Sequence, residues 1–342
     1  MSMIEQEGNL EEGTQDQLTP QPAYNRVDLT EFSSLIYQVK QEFSKILIGN
    51  QSLVELLLTS LLCEGHVLVE SVPGLAKTLS AKVMARTLDA GFNRIQFTPD
   101  LMPSDILGTS IFNQKDLEFK FQKGPIFSNI ILIDEINRAP AKTQAALFEV
   151  MEENQITFDG TTYKMEYPFF VMATQNPIEQ EGTYRLPEAQ LDRFLMKIKL
   201  TYPRPSDELA ILDRFKNNLK VRDLSVIHPV INADSLKTMQ SILNEIHVEP
   251  QIMKYIVDLI HETRNNAKIY FGASPRATLA LLSTSRALAA IKGRDFLIPD
   301  DVQFMAPHIL NHRLILTPEV EMQGQTSESV IKEIIDMVEI PR

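Results

Sequence analysis

The sequence predicts an α/β fold built on a central parallel sheet, followed by an all-helical domain. Short apolar, strand-like runs alternate with helical stretches up to about residue 200, which is the pattern of a parallel sheet joined by crossover helices. One run, Ile130-Ile-Leu-Ile, is wholly apolar and ends in Asp134-Glu135. It suits a strand buried on both faces with acids at its carboxyl edge, where such sheets bind ligands. Beyond Tyr202-Pro-Arg-Pro205 the strand-like runs stop and helical patterns continue to the end.

Taken in order, the chain opens with an acidic segment, residues 1–28. Its first 25 residues hold Glu5, Glu7, Glu11, Glu12 and Asp16 and no Lys or Arg, a composition that cannot build a core and predicts disorder. Phe32, Leu35, Ile36, Val39, Phe43, Ile46 and Leu47 then recur at helical spacing, with Asp28 or Thr30 as the expected cap. A second helix is expected over Asn50–Cys63, then a strand over 67–70. Further strands are expected at Arg94–Phe97, Ile130–Ile133, Phe169–Ala173 and Lys197–Leu200. Helices are expected at Thr78–Leu88, Lys142–Glu153 and Pro187–Phe194. Residues 29–204 thus form the α/β domain. Residues 205–342 form the helical one, with Ser206 capping Asp207–Phe215 and helices at Ala233–Ile246, Pro250–Asn265, Pro275–Ile291 and Pro299–His308.

The segment from Val67 to Ser80 reads as strand, tight loop and helix start, and carries Lys77-Thr78. That is the order of a phosphate-binding loop, in which backbone N–H groups and a helix N-terminus surround a polyphosphate, a lysine reaches its outer phosphates and a Ser/Thr hydroxyl binds Mg²⁺. Gly74 and Lys77-Thr78 fit the pattern G-x-x-x-x-G-K-[ST], but Ser71 and Ala76 occupy its two glycine positions. Ala76 fits if right-handed helical geometry has already begun there. Ser71 is expected to be strained if its φ is positive, with weaker nucleotide binding as the consequence. Read alone, the segment is equally an ordinary strand-to-helix turn with a solvated lysine. The acids about fifty residues on supply what a phosphate loop needs: Asp134 to hold the metal and Glu135 to polarise an attacking water.

Composition narrows the classes. The 342 residues are 44% hydrophobic and 23% charged, ordinary for a globular chain of about two domains. A single cysteine, Cys63, excludes an internal disulfide framework, and the reducing cytoplasm is the expected compartment. No basic stretch followed by an apolar one opens the sequence and no apolar run is long enough to span a membrane, so neither export nor membrane insertion is expected. A net charge of −12 argues against wholesale nucleic-acid binding. The six histidines are scattered and predict no metal site.

Four segments together resemble one family. Glu70–Thr78, Asp134–Gln144, Ala173–Thr183 and Leu186–Phe194 look like the MoxR family of AAA+ ATPases, over roughly residues 30–320. The family's usual phosphate loop already has alanine at position 76, so Ser71 and, less so, Arg185 are the departures. The resemblance implies a P-loop AAA+ core with a helical lid, binding ATP or ADP with Mg²⁺ through Val72, Pro73, Gly74, Leu75, Ala76, Lys77, Thr78 and Leu79. Thr78 and Asp134 would be the metal ligands and Glu135 the polarising acid. Asn176 matches the first sensor, where its residues alone read as an Asn-Pro turn. Arg193 matches an arginine finger acting on a neighbouring subunit, an arrangement worth about 10³–10⁵ in rate. Arg276 matches the second sensor, and Ile48-Gly49 lies where such proteins pass backbone along the adenine, although packing ahead of a helix accounts for it equally. Residues 97–125 look like the hairpin insertion of the helix-2-insert clade, and Asp159-Gly160 signals a second hairpin. The resemblance further implies a ring, taken as a hexamer, that remodels a client protein and works with a partner bearing a von Willebrand factor A domain. A chelatase-type motor for metal insertion and a DNA-directed motor are the alternatives.

Overall fold

The structure is a computed structural model and describes residues 26–72, 74–115, 117–177, 184, 186–217 and 223–341. The expected tail through residue 25, Pro73 and Arg185 lie outside the described residues. The α/β part runs α1 (Thr30–Ser44), α2 (Gln51–Leu62), β1 (Val67–Ser71), α3 (Lys77–Thr87), β2 (Phe92–Gln96), α4 (Pro103–Leu107), β3 (Gly108–Asn113), β4 (Glu118–Lys123) and β5 (Ile130–Asp134). It continues through α5 (Ala141–Glu153), β6 (Gln155–Phe158), β7 (Thr161–Lys164), β8 (Phe170–Gln175), α6 (Glu188–Leu191) and β9 (Met196–Leu200). Five strands form one sheet in the order β2-β5-β8-β1-β9, and every neighbouring pair is parallel.

Side-chain alternation divides the sheet between two cores. On β5, Ile130 and Leu132 face the layer that also buries Val67, Val69, Phe170 and Met172. Ile131 and Ile133 face the other, with Leu68, Val171, Ala173 and the α5 residues Leu147 and Phe148. The all-apolar run is therefore the signature of burial on both faces. The first layer is continuous with α1 and α2 and with buried residues of the later helices such as Leu259, Leu281, Val302 and Ile331.

Those helices are α7 (Pro205–Asn217), α8 (Ala233–Ile242), α9 (Pro250–Asn265), α10 (Pro275–Ile291), α11 (Pro299–Leu310), α12 (Pro318–Met322) and α13 (Ser327–Met337). Several expectations are corrected here. Strands do not stop at residue 205, because β10 (Ile269–Phe271) pairs antiparallel with β11 (Ile315–Leu316); runs of three and two residues are too short for alternation to show. Ser206 is not a cap, since α7 begins at Pro205, whose fixed φ suits a first helical position. At α1 it is Asp28 that accepts the Thr30 N–H, at 2.9 Å. The helix expected over Pro187–Phe194 is α-helical only to Leu191 and tightens there into a turn, with Arg193 N–H donating to Gln190 O and Phe194 N–H to Leu191 O. Both hairpins are present, β3 with β4 and β6 with β7, the second turning through Asp159 at φ 47° and Gly160 at φ 76°, the twist that two-residue hairpin loops favour.

The phosphate-loop backbone reverses the expectation about strain. Ser71 is the buried last residue of β1, does not have positive φ, and donates its hydroxyl to Val72 O at 3.1 Å. Ala76 instead precedes α3 in the left-handed region, at φ 54° and ψ 19°, so the alanine bears the strain that glycine would avoid. Ala76→Gly is predicted to raise the unfolding free energy by about 0.5–1 kcal/mol, being left-handed strain less the added freedom of unfolded glycine. Ser71→Gly is predicted to lower it by about 1 kcal/mol. Denaturant unfolding of both variants checks the pair, and the opposite order would return the strain to Ser71.

His66 ties three elements together just before β1. Its Nδ1 accepts from Val171 N–H at 3.1 Å, so Nε2 carries the proton and donates to Met151 O at 3.1 Å. Burial pushes its pKa down to about 4. The folded value lies below the unfolded one, so the stability this neutral ring contributes is complete above about pH 6.5 and is lost as pH falls toward 4, by about 3 kcal/mol at pH 4. His66→Gln should make stability fall less steeply over that window, by up to one proton in slope. Urea titrations at several pH values measure it, and an unchanged slope would show that His66 titrates normally.

Candidate functional site

Because all five strands run the same way, the sheet has one carboxyl edge, and there the register gathers most of the expected site. Gln96 lies beside Asp134, and Glu70 beside Gln175, which puts Asn176 next to the end of β1. Lys77 opens α3 immediately after the loop and folds back to donate to Ser71 O at 3.4 Å. Burial lowers its pKa, while the charges of Asp134 and Glu135 oppose that shift, so the lysine stands within the field of both acids. Thr78 follows in the first turn of α3, Leu79 packs on the core, and Asn176 is buried.

The N-terminus of α3 suits a polyphosphate. Ala76 offers no side-chain cap, and the first helical bond is Ser80 N–H to Ala76 O at 2.9 Å. The N–H groups of the first turn thus have no partner within the helix, and Gly74 at φ 90° has open space above it. The residues for the metal also fit: Asp134 carries a cation already, its Oδ2 held by Arg94 Nε at 2.5 Å and its Oδ1 by the Thr174 hydroxyl at 3.3 Å. Glu135 sits in the left-handed region at φ 57°. Its N–H donates to the Thr174 hydroxyl at 3.1 Å, while its carboxylate meets Arg138 at 3.0 Å and Gln96 at 2.9 Å. A non-glycine residue held there stores strain, a feature that clusters at reactive sites. Gly49, at φ 77°, is pressed against Asp207 of α7, where an added Cβ would come within 2.6 Å; Ile48 precedes it, half-buried.

Arg193 and Arg276 are not at this edge. Arg193 precedes Met196, the first residue of β9, which pairs with Val67, the first residue of β1. It therefore lies past the amino edge, and β1 alone, at about 3.3 Å per residue, separates the two edges by roughly 13 Å. There Arg193 forms an ion pair with Glu152 at the end of α5. Arg276, in the first turn of α10, meets the same Glu152 at 3.1 Å and Asp192 at 3.8 Å. Asp192 is held in turn by the buried Arg313, at 2.6 Å, whose remaining N–H groups donate to the carbonyls of Phe194, Leu195 and Ile309. Arg313 thus fixes the turn that carries Arg193. These groups line a cavity of about 480 Å³.

Sequence reasoning missed Arg94, Gln96, Arg138, Glu152, Asp192 and Arg313. Gln96 and Arg94 were findable in principle, because alternate residues of a strand next to Ile130–Asp134 face the same acids. Arg138 was findable too, standing three residues after Glu135; Glu152, Asp192 and Arg313 come together only through tertiary packing and carry no spacing signal.

Comparison with known proteins agrees with this architecture. Residues 66–196 match the ATPase family associated with various cellular activities (AAA), and residues 261–334 match the AAA lid domain. The chain is 44% identical over 314 residues to Chaperone MoxR1 of Mycobacterium tuberculosis, covering 88% of this chain and 81% of that one. It is 43% identical over 307 residues to the uncharacterized protein YeaC of Bacillus subtilis, covering 90% and 95%. A crystal structure from Cytophaga hutchinsonii, 41% identical, superposes with a TM-score of 0.84 over 92% of this chain and 97% of that one. With its parallel sheet, its phosphate-loop geometry and its following helices, the chain belongs to the MoxR family of AAA+ ATPases.

Proposed function

We propose that the chain hydrolyses ATP as a Mg²⁺-dependent ring ATPase, each nucleotide lying between the carboxyl edge of one subunit and the arginine edge of the next. The observation that carries this reading is the separation of the two edges: Arg193 and Arg276 stand past the amino end of the strands whose carboxyl ends hold Lys77, Asp134 and Glu135. In one chain they cannot meet one triphosphate.

In this reading the loop from Val72 to Leu79, Pro73 included, cradles ATP or ADP by its N–H groups, Lys77 turns from Ser71 O to the outer phosphates, and Ile48-Gly49 borders the adenine. Thr78 and Asp134 would hold Mg²⁺, which would offset the negative charge of the phosphates. Asp134 must first release Arg94. Glu135 leaves Arg138 and Gln96, accepts a proton from the attacking water, and Asn176 orients that water. Across the interface Arg193 and Arg276 exchange Glu152 for the γ-phosphate, Arg276 linking phosphate state to the helices beyond residue 205.

A hexamer that remodels a client protein in the cytoplasm completes the reading. The Mycobacterium relative is named a chaperone, which supports it. So does the β3–β4 hairpin, which exposes Phe112, Leu117 and Phe119, an apolar surface suited to a polypeptide. A partner with a von Willebrand factor A domain fits the same reading. Among the described residues no helix is long and apolar enough to cross a membrane.

Two substitutions separate binding from hydrolysis. Lys77→Ala should abolish Mg-ATP binding by calorimetry. Glu135→Gln should keep affinity within a few-fold while turnover falls by about 10²–10⁴. Equal affinity in wild type and Lys77→Ala, or normal turnover in Glu135→Gln, would remove the assigned roles.

A further inference from the structure

The arginine edge holds one guanidinium that neither the fold nor the family roles account for. Arg286 lies on α10, ten residues beyond Arg276, and lines the same 480 Å³ cavity as Arg193, Arg276 and Arg313. Among the described residues it has no hydrogen-bond or ion-pair partner, and its Nε is buried and unsatisfied. Burial pushes its guanidinium below the usual arginine value. A half-buried cation without an acceptor is unfavourable by itself, and it persists where an acceptor arrives from elsewhere.

Charge requires that acceptor to be an anion. Arg193, Arg276 and Arg313 share two carboxylates, Glu152 and Asp192, and the exposed Glu64 is the third acid lining the cavity. With Arg286 counted, four guanidiniums face three carboxylates, leaving one positive charge, and Arg286 alone is uncommitted. A carboxylate or a phosphate oxygen can supply that charge; in the ring reading the anion that arrives at this edge is the neighbour's triphosphate, whose oxygens accept the paired N–H groups that a guanidinium offers.

Resting on the ring reading, we propose that Arg286 is a third cation of the arginine edge and binds the phosphates of the nucleotide carried by a second copy of this chain. It lines the same cavity as Arg276 from farther along α10, about 15 Å on at 1.5 Å per residue, so the helix contributes two cations to one cavity, and Arg286 acts without first releasing a carboxylate.

Assembly measured by sedimentation velocity with a non-hydrolysable ATP analogue, with ADP and without nucleotide tests this, on wild type, Arg286→Gln, Arg286→Lys and Arg193→Ala. Arg286→Gln should raise the analogue concentration for half-assembly about tenfold, with little effect without nucleotide, and Arg286→Lys should recover part of the loss. Binding of a fluorescent nucleotide to dilute, unassembled protein should be unchanged. The melting temperature of Arg286→Gln should equal or exceed that of wild type, because an unpaired buried cation is removed. An unchanged half-assembly concentration while Arg193→Ala shifts it would overturn the role of Arg286 and spare the ring. An equal loss with and without nucleotide would assign Arg286 to a carboxylate of the neighbour, and a lowered melting temperature would make it structural; either overturns the proposal. If Arg193→Ala also leaves assembly unchanged, the intersubunit reading itself fails.

Discussion

Everything in the site depends on the direction of five parallel strands. A parallel sheet has two chemically different ends, and crossover helices return every strand to the same side. The carboxyl ends of β1, β5 and β8 bring a phosphate loop, two acids and an amide together within one register. The amino ends receive the turn before β9 and the start of α10, with their arginines. In the proposed ring, the strand length that keeps the groups apart within a chain would also set how two chains meet.

Among the described residues almost every charged group of the site has a partner. Arg94 holds Asp134, Arg138 and Gln96 hold Glu135, and Glu152 holds both Arg193 and Arg276. Buried or half-buried charges are costly unless paired, and these pairs offset that cost. They also set what binding must undo, because each pair exchanged for phosphate, metal or water contributes only the difference between the two interactions. Arg286 is the exception.

The sheet was legible in the sequence because its signals are local: the apolar run of β5 records burial on both faces, and Asp159-Gly160 records a hairpin turn. The phosphate loop was legible in its residues and not in its backbone. Spelling placed the strain at Ser71, where a glycine was missing, but the chain is still a strand there, and left-handed geometry falls on Ala76. The partition of the site into two edges was not legible, since it follows from which residue of β9 pairs with which residue of β1. Glu152, Asp192 and Arg313, distant in sequence, meet through packing against α10 and α11, and β10 and β11 are too short to leave a pattern.

The proposed intersubunit site is tested most directly by complementation. Lys77→Ala subunits retain the arginine edge but cannot hold nucleotide, and Arg193→Ala subunits hold nucleotide but cannot complete a neighbour's site. Each alone should be nearly inactive. Mixed in equal amounts, with exchange confirmed by co-purification through a tag on one of them, they should recover part of the wild-type ATP turnover. Turnover that stays at the sum of the two separate variants in demonstrably mixed assemblies would contradict the account, as would full activity of Arg193→Ala alone.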